Sequence, residues 1–293
     1  MKVLVFGSDG FIGRNVCSEL ENNHEVTKAT RYATVDGNSV QVDLLDQDSV
    51  GRALKSVHPE VIINCAGIVD VSLDTDLNIA FTKNILEQAS KLGGIKKIII
   101  SGSAGEYGKV NPDNIPVGED APLNADSGYG LSKSQEEQFA LEYGKKNNIN
   151  VVVVRIFNPI GQNMAERFLL MRLLNQVWEF KLGKREVIEV ARLDAKRDYV
   201  SVKDIATAIR SIIEGDNKES VYNIGSGQST TNGELLEIIL KNSKLEARPN
   251  IVETSSEPES LVAVQADISR ISNEFKWSPI HTIDEVVSEI YLS

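Results

Sequence analysis

The chain has 293 residues, 41% of them hydrophobic and 25% charged, enough for a sizeable core in one large domain or two fused ones. Its 31 basic and 42 acidic residues give a formal charge of −11. That balance argues against a general nucleic-acid or anionic-membrane binder, both of which need basic surface, but leaves room for an anionic small ligand held by a few local arginines.

Lys2-Val-Leu-Val-Phe6 opens the chain with four apolar residues in five, the pattern of a strand buried on both faces. No charged segment and long apolar run precedes it, and no stretch approaches the roughly 20 apolar residues of a membrane span, so a cytoplasmic protein without a signal peptide is expected. Gly7-Ser-Asp-Gly-Phe-Ile-Gly13 follows. Gly7 permits a tight turn, Gly10 lets backbone approach a ligand, and Gly13 lets a helix pack on the strand. The helix N-terminus, with its unpaired N–H groups, suits a pyrophosphate. The spacing G-x-x-G-x-x-G is not the common fingerprint G-x-G-x-x-G, so this stretch alone also fits a turn with no ligand.

Further strands are predicted at Glu25–Thr30, Val40–Val42, Val61–Cys65, Lys97–Ser101 and Val151–Ile156, with helices near 11–22, 46–56, 74–92 and 127–147. Alternating apolar strands and helices predict a parallel sheet covered on both faces, in a doubly wound α/β (Rossmann) arrangement. Ligands of such sheets bind beyond the C-terminal strand ends, so the residues after each strand carry the information.

After the second strand stands Arg31, where an NAD site would place an acid for the ribose 2′-hydroxyl. Arg31 suits a 2′-phosphate, which favours NADP(H) over NAD(H), or is a solvated surface arginine. After the third, Asp43-Leu44 offers a carboxylate to an adenine amino group. Asp43 is also a possible helix cap, for which Asp46 is the better candidate. Asn64-Cys-Ala-Gly67 supplies small residues beside which a dinucleotide can pass. Cys17 and Cys65 read as buried free thiols. His24, His58 and His281 lack ligand spacing, so no metal site is expected.

Ser101-Gly-Ser-Ala-Gly-Glu-Tyr-Gly108 ends the fifth strand, and Tyr129-Gly-Leu-Ser-Lys133 opens the next helix. Tyr and Lys at i and i+4 share one helix face. An ammonium beside a phenol is expected to lower its pKa from about 10 toward neutrality and make Tyr129 a usable acid and base. Alone, such a pair is common on ordinary amphipathic helices.

Taken together and in order, the glycine turn, Ser103 before Tyr107, and Tyr129 with Lys133 resemble the extended short-chain dehydrogenase/reductases, the nucleotide-sugar epimerase/dehydratase group. The likeness continues through Asn78 and Asn84, Arg155-Ile-Phe-Asn-Pro-Ile-Gly161, Arg197-Asp-Tyr-Val-Ser-Val-Lys-Asp204, Tyr222-Asn-Ile-Gly-Ser-Gly227, and Asp267-Ile-Ser-Arg…Trp277-Ser-Pro. It implies a dinucleotide-binding domain of residues 1–160 plus 198–226. A smaller mixed α/β substrate domain, 161–197 plus 227–293, would complete the chain, with the ligand cleft between them. It implies Ser103, Tyr129 and Lys133 as the catalytic set: Ser103 bonds the reacting sugar oxygen, Tyr129 exchanges the proton, and Lys133 holds the nicotinamide ribose. The implied cofactor-binding residues are Gly7, Asp9, Gly10, Phe11, Ile12, Gly13, Arg31, Asp43, Leu44, Ala66, Gly67, Tyr129, Lys133 and Ile156. Those for a nucleotide-diphosphate sugar are Ser103, Asn158, Arg185 and Arg197. Asn158 also fits a helix cap, and Arg197 a partner for Asp198 or Asp204. A homodimer through the helices at 74–92 and 127–147 is implied, with no nucleic-acid or membrane partner.

Dehydratases of the group look like T-D-E-x-Y. Here Ala104 and Gly105 stand in place of the acids. Gly183-Lys-Arg185 and Val190–Tyr199 are similar to the GDP-4-dehydro-6-deoxy-D-mannose reductases. Ala191-Arg192 in place of Gly-Asn, and a stretch at Glu253–Leu261 without Arg-Pro, depart from them. The resemblance therefore implies an NADPH-dependent 4-ketoreductase of deoxysugar biosynthesis, with an NAD-dependent 4-epimerase and a non-catalytic NADP-binding sensor as alternatives.

Overall fold

The computed structural model describes residues 1–32, 37–69, 77–125, 128–255 and 265–292. The strands and helices run β1 Lys2–Phe6, α1 Phe11–Leu20, β2 Glu25–Thr30, β3 Ser39–Gln41, α2 Gln47–Val57, β4 Val61–Asn64, α3 Leu77–Leu92, β5 Lys97–Ser103, α4 Gly128–Asn147 and β6 Val151–Ile156. Then come β7 Asn158–Ile160, α5 Leu169–Lys181, β8 Val187–Val190, β9 Lys196–Arg197, β10 Tyr199–Ser201, α6 Val202–Glu214, β11 Val221–Ile224, β12 Thr230–Thr231, α7 Asn232–Ser243, β13 Asn250–Glu253, α8 Ser269–Phe275 and α9 Ile283–Leu292. Residues 74–76 and 127 of the expected helices, and 256–261 of the stretch without Arg-Pro, lie outside the described residues.

Among the described residues, seven parallel strands form the main sheet in the order β11-β6-β5-β4-β1-β2-β3. The order reverses between β1 and β4, which opens a crevice at their C-terminal ends. Phe6 lies beside Ala29 on one flank and Asn64 on the other, so the segments that follow β1, β2 and β4 emerge together.

Side-chain alternation splits the strands between two cores. Val3, Val5, Ile63, Ile99, Val152 and Val154 face α1 and α6. Leu4, Phe6, Ile62, Ile98, Ile100 and Val153 face α2, α3 and α4. Each such fully buried side chain contributes about 1.5–3 kcal/mol relative to exposure. This two-sided burial is why the strands read as unbroken apolar runs. Helix α6 buries Val202, Ile205, Ala206, Ile209, Ile212 and Ile213, the helical spacing of one continuous apolar face.

A third core joins α5, β8, α7 and α9 through Leu170, Leu173, Val177, Ile188, Leu235, Ile239 and Val287. Short pairs β7–β10, β9–β12 and β8–β13 tie this layer together and to the sheet. The chain's last part divides between the cores. Ile271, Phe275 and Trp277 pack in the sheet's own core, and the Trp277 indole donates to Thr207 Oγ1 at 3.0 Å, while α9 stays with the smaller layer. Among the described residues no helix is long and apolar enough to cross a membrane.

Candidate active site

Two cavities that share Gly10, Cys65 and Gly67 run along the C-terminal strand ends. The first, about 410 Å³, is lined by Gly7, Asp9, Gly10, Arg31, Asp43, Leu44, Ala66 and Gly67. The second, about 560 Å³, is lined by Gly10, Phe11, Ile12, Ser103, Ala104, Gly105, Tyr129, Ile156, Asn158 and Arg197.

The glycine turn is built to a tolerance no side chain meets. Gly7 has φ +70°, and a Cβ there would stand 2.5 Å from the Ala66 nitrogen. At Gly13 a Cβ would stand 2.1 Å from the Gly7 carbonyl oxygen. Gly13 therefore packs the helix onto the turn and lines neither cavity. Helix α1 begins after Gly10 without a side-chain cap. Asp46 caps α2 by accepting from the Asp48 amide, while Asp43 Oδ1 accepts from the Leu45 amide at 2.9 Å and stays on the cavity wall. Asn78 holds Ile68 by both its amide and its carbonyl, and Asn84 Nδ2 donates to the Leu44 carbonyl at 2.8 Å. These two asparagines fix the loops that wall the first cavity. Its close backbone and uncapped helix end fit a dinucleotide pyrophosphate.

Ser103 ends β5 and caps a 3-10 turn over Ala104–Tyr107: its Oγ accepts from the Gly105 amide at 3.1 Å. Tyr129 enters from the first turn of α4 and hydrogen-bonds Ser103. Its phenol is pushed up, against the expectation of a lowered pKa. Burial is the largest cause, and Glu106 and Glu136 add to it, while Lys133 and the Ser103 bond work the other way. The expected Tyr–Lys effect is present but outweighed. Lys133 is buried behind Tyr129, lines neither cavity, and donates to the Glu136 carboxylate.

Sequence reasoning missed the buried charges beneath this site. Glu106 is fully buried, and its Oε1 accepts from the Ser103 amide at 2.6 Å. Burial and the nearby Glu137 push its carboxyl well above the usual range. Arg155 forks onto Glu137, donates to the Tyr107 hydroxyl at 2.9 Å and reaches the Glu119 carbonyl at 2.8 Å. A lysine followed by Glu at i+3 and i+4 reads in sequence as a solvated helix face, so no local signal marked these groups as interior. Cys65, expected to be buried, is half-buried and lines both cavities. Burial pushes its thiol up to about 11, and that of Cys17 to about 12.

On the far wall, Asn158 donates through Nδ2 to the Asp198 carbonyl at 3.0 Å, within the β7–β10 pair, and caps no helix. Arg197 lines the second cavity with Asn163 and Arg167, the last two also missed from sequence. Asp198 and Asp204 are turned inward: Asp198 accepts from Ser226, Gly227 and Ala266 amides, and Asp204 from Ile280 and His281. Arg185 is not brought to the cleft. It lies beyond α5, bonded to Glu179 at 2.8 Å, with Glu189 at 3.7 Å, and lines neither cavity. Its turn follows the end of α5.

A doubly wound sheet with a glycine turn at its switch point, and a serine, tyrosine and lysine gathered at the neighbouring strand end, defines the class of short-chain dehydrogenase/reductase-like proteins. Residues 3–225 match the NAD dependent epimerase/dehydratase family, and the chain belongs to that family. It is 26% identical over 303 residues to a GDP-6-deoxy-D-mannose reductase of Pseudomonas aeruginosa, covering 99% of this chain and 95% of that protein. It is also 26% identical over 328 residues to a UDP-glucose 4-epimerase of Bacillus subtilis, with the same coverages of 99% and 95%. The structure of RMD from Pseudomonas aeruginosa complexed with NADPH superposes with a TM-score of 0.87 at 25% identity, over 99% of this chain and 97% of that one. Members of the family are NAD(P)-dependent oxidoreductases and epimerases of nucleotide sugars.

Proposed function

We propose that this protein reduces the 4-keto group of a GDP-linked 4-keto-6-deoxyhexose, with NADPH as reductant. The observation that carries the reading is Arg31, which follows β2 on the wall of the first cavity where an NAD site places an acid. Ala104 and Gly105 line the second cavity where the acids of a dehydratase would stand, which disfavours elimination of water. The similarity to the GDP-6-deoxy-D-mannose reductase supports the same choice.

Gly7 and Gly10 would lie against the pyrophosphate, Asp43 at the adenosine end, and Ile12, Ile156 and Tyr129 at the nicotinamide end. The cofactor when bound supplies hydride to the substrate carbon. Tyr129 delivers the proton to the oxygen at C4, and Ser103, which already bonds the phenol, orients that oxygen. Carbonyl plus hydride plus proton gives the alcohol. Arg197 and Asn158 hold the diphosphate, as a planar guanidinium suits.

A second reading, an NAD-dependent nucleotide-sugar 4-epimerase, is favoured by the equal identity to the Bacillus subtilis enzyme. The complete Ser103, Tyr129 and Lys133 set disfavours a non-catalytic sensor. Turnover on GDP-, dTDP-, UDP- and CDP-linked 4-keto-6-deoxysugars, with NADPH loss followed, decides between them. The reductase consumes one NADPH per keto-sugar, fastest with GDP. Interconversion of UDP-glucose and UDP-galactose with no added cofactor, by protein carrying bound NAD+, would overturn the proposal.

A further inference from the structure

Lys133 and Glu136 lie one turn apart on α4 with side chains only 5% and 1% exposed. Taking both charges out of water is costly, and the pair by itself is weak evidence of stabilisation. Lys133 Nζ donates to Glu136 Oε2, and Thr82, fully buried on α3, donates from Oγ1 to Glu136 Oε1 at 2.5 Å. The Thr82 hydroxyl in turn accepts from Asn64 Nδ2 at 3.0 Å, and Asn64 Oδ1 accepts from the Ala66 amide at 3.1 Å. Ala66 lines the first cavity. One polar chain therefore runs from the end of β4, through α3, to the lysine behind Tyr129. Both carboxylate oxygens of Glu136 act as acceptors in it.

We propose that Glu136 is a positioning residue that fixes Lys133 and offsets part of its pull on the Tyr129 phenol. An ammonium alone would favour the phenolate, and a carboxylate bonded to that ammonium weakens the preference. Together with burial, the larger cause, this keeps the tyrosine a proton donor at neutral pH. Reduction needs a donor at this position. A reaction that starts by withdrawing a proton needs the phenolate, so the inference deepens the proposed reductase reading and rests on it for its purpose.

The other groups around the phenol do not hold the Lys133 ammonium by direct contact. Ser103 bonds it from β5, and Glu106, from the turn that follows, adds to the upward push on it. Cys65, from the end of β4, lies close enough to Lys133 to feel its charge, which favours the thiolate, yet burial holds the thiol up. Glu137 and Arg155 lie beyond Glu106 and are bonded to each other. Glu136 is the carboxylate in direct contact with Lys133.

The test is a tyrosinate absorbance titration, read as the difference between each protein and its Tyr129→Phe counterpart, beside the alkaline limb of kcat. Glu136→Gln keeps the shape and removes the charge, and should bring the Tyr129 midpoint down by about one pH unit or more. Lys133→Met should move it up. The double variant removes the pair as a unit, leaves no lone buried charge, and should titrate between the two single variants. If Glu136→Gln does not fold, the same shift is read between Lys133→Met and the double variant. A Glu136→Gln protein that loses Tm with its Tyr129 midpoint unmoved would leave Glu136 a packing residue and overturn the proposal. So would a wild-type phenol that titrates near neutrality. The titration needs no substrate: the expected shifts without turnover on any keto-sugar would remove the reductase reading and leave the role of Glu136 standing.

Discussion

The two ends of the cleft are made in different ways. The end beside β1, β2 and β4 is made of backbone and small residues within the first 70 positions: Gly7, Gly10, Ala66 and Gly67, with Arg31 and Asp43 at its rim. The end beside β5 and β6 is made of side chains drawn from 103, 129, 158 and 197, over buried Glu106, Lys133, Glu136 and Glu137. At the first end, recognition comes from where a Cβ is missing. At the second, reactivity comes from where charges are compensated. Substitutions should therefore fail differently: by steric exclusion at one end and by lost or displaced protons at the other.

The largest expected effect is at the second end. Tyr129→Phe keeps the ring and removes the proton, so the protein should fold, bind NADPH and lose kcat by about 10²–10⁴-fold. Near wild-type turnover would take Tyr129 out of the chemistry. At the first end the corresponding break is Gly13→Ala. Its methyl would meet the Gly7 carbonyl oxygen at 2.1 Å, and that neighbour is backbone. A loss of about 1–3 kcal/mol of stability, with weakened cofactor binding, is expected in denaturant titrations. An unchanged midpoint would show that the turn has room.

Next comes the pH profile. Burial holds the Tyr129 phenol above its ordinary value of about 10. As an acid it works while protonated, so kcat should be level through neutrality and fall only as pH rises through that raised midpoint. A limb near pH 7 would mean that Lys133 dominates after all. Smaller again is Arg31→Ala, which should weaken NADPH by about tenfold, the loss of one charge-assisted contact, and leave NADH alone. Equal losses for both cofactors in a binding titration would sink the 2′-phosphate role.

The contrast between the ends also decides what could be read in advance. Strand bounds at Glu25–Thr30 and Val151–Ile156 follow from apolar runs whose alternate residues enter opposite cores. The glycine turn was legible because spacing alone dictates backbone geometry. The direction of the Tyr129 shift was not. It depends on desolvation by α4 and the 3-10 turn, and on Glu106 and Glu136, whose burial no local pattern announces. Nor was the placing of 268–277 against the sheet, since Ile271 and Trp277 look the same whichever core receives them.

Two arginines chosen from sequence for the same diphosphate bring the comparison down to its smallest effect. Arg197 leaves β9 on the wall of the second cavity. Arg185 sits past the end of α5, its side chain 29% exposed, between Glu179 and Glu189, which are themselves 47% and 56% exposed. Ion pairs this open to solvent are worth about 0–1 kcal/mol. Arg185→Ala should therefore leave kcat and KM for the nucleotide sugar within about twofold of wild type and lower stability only slightly. Arg197→Ala should raise KM by about tenfold or more, since it removes a charged partner of the diphosphate. Salt separates the two further: added salt should erase the small stability difference at Arg185, because exposed pairs are screened, while the Arg197 defect persists. A rise in KM for Arg185→Ala that matches the Arg197→Ala rise would bring residue 185 into the cleft and require the loop after α5 to move toward it.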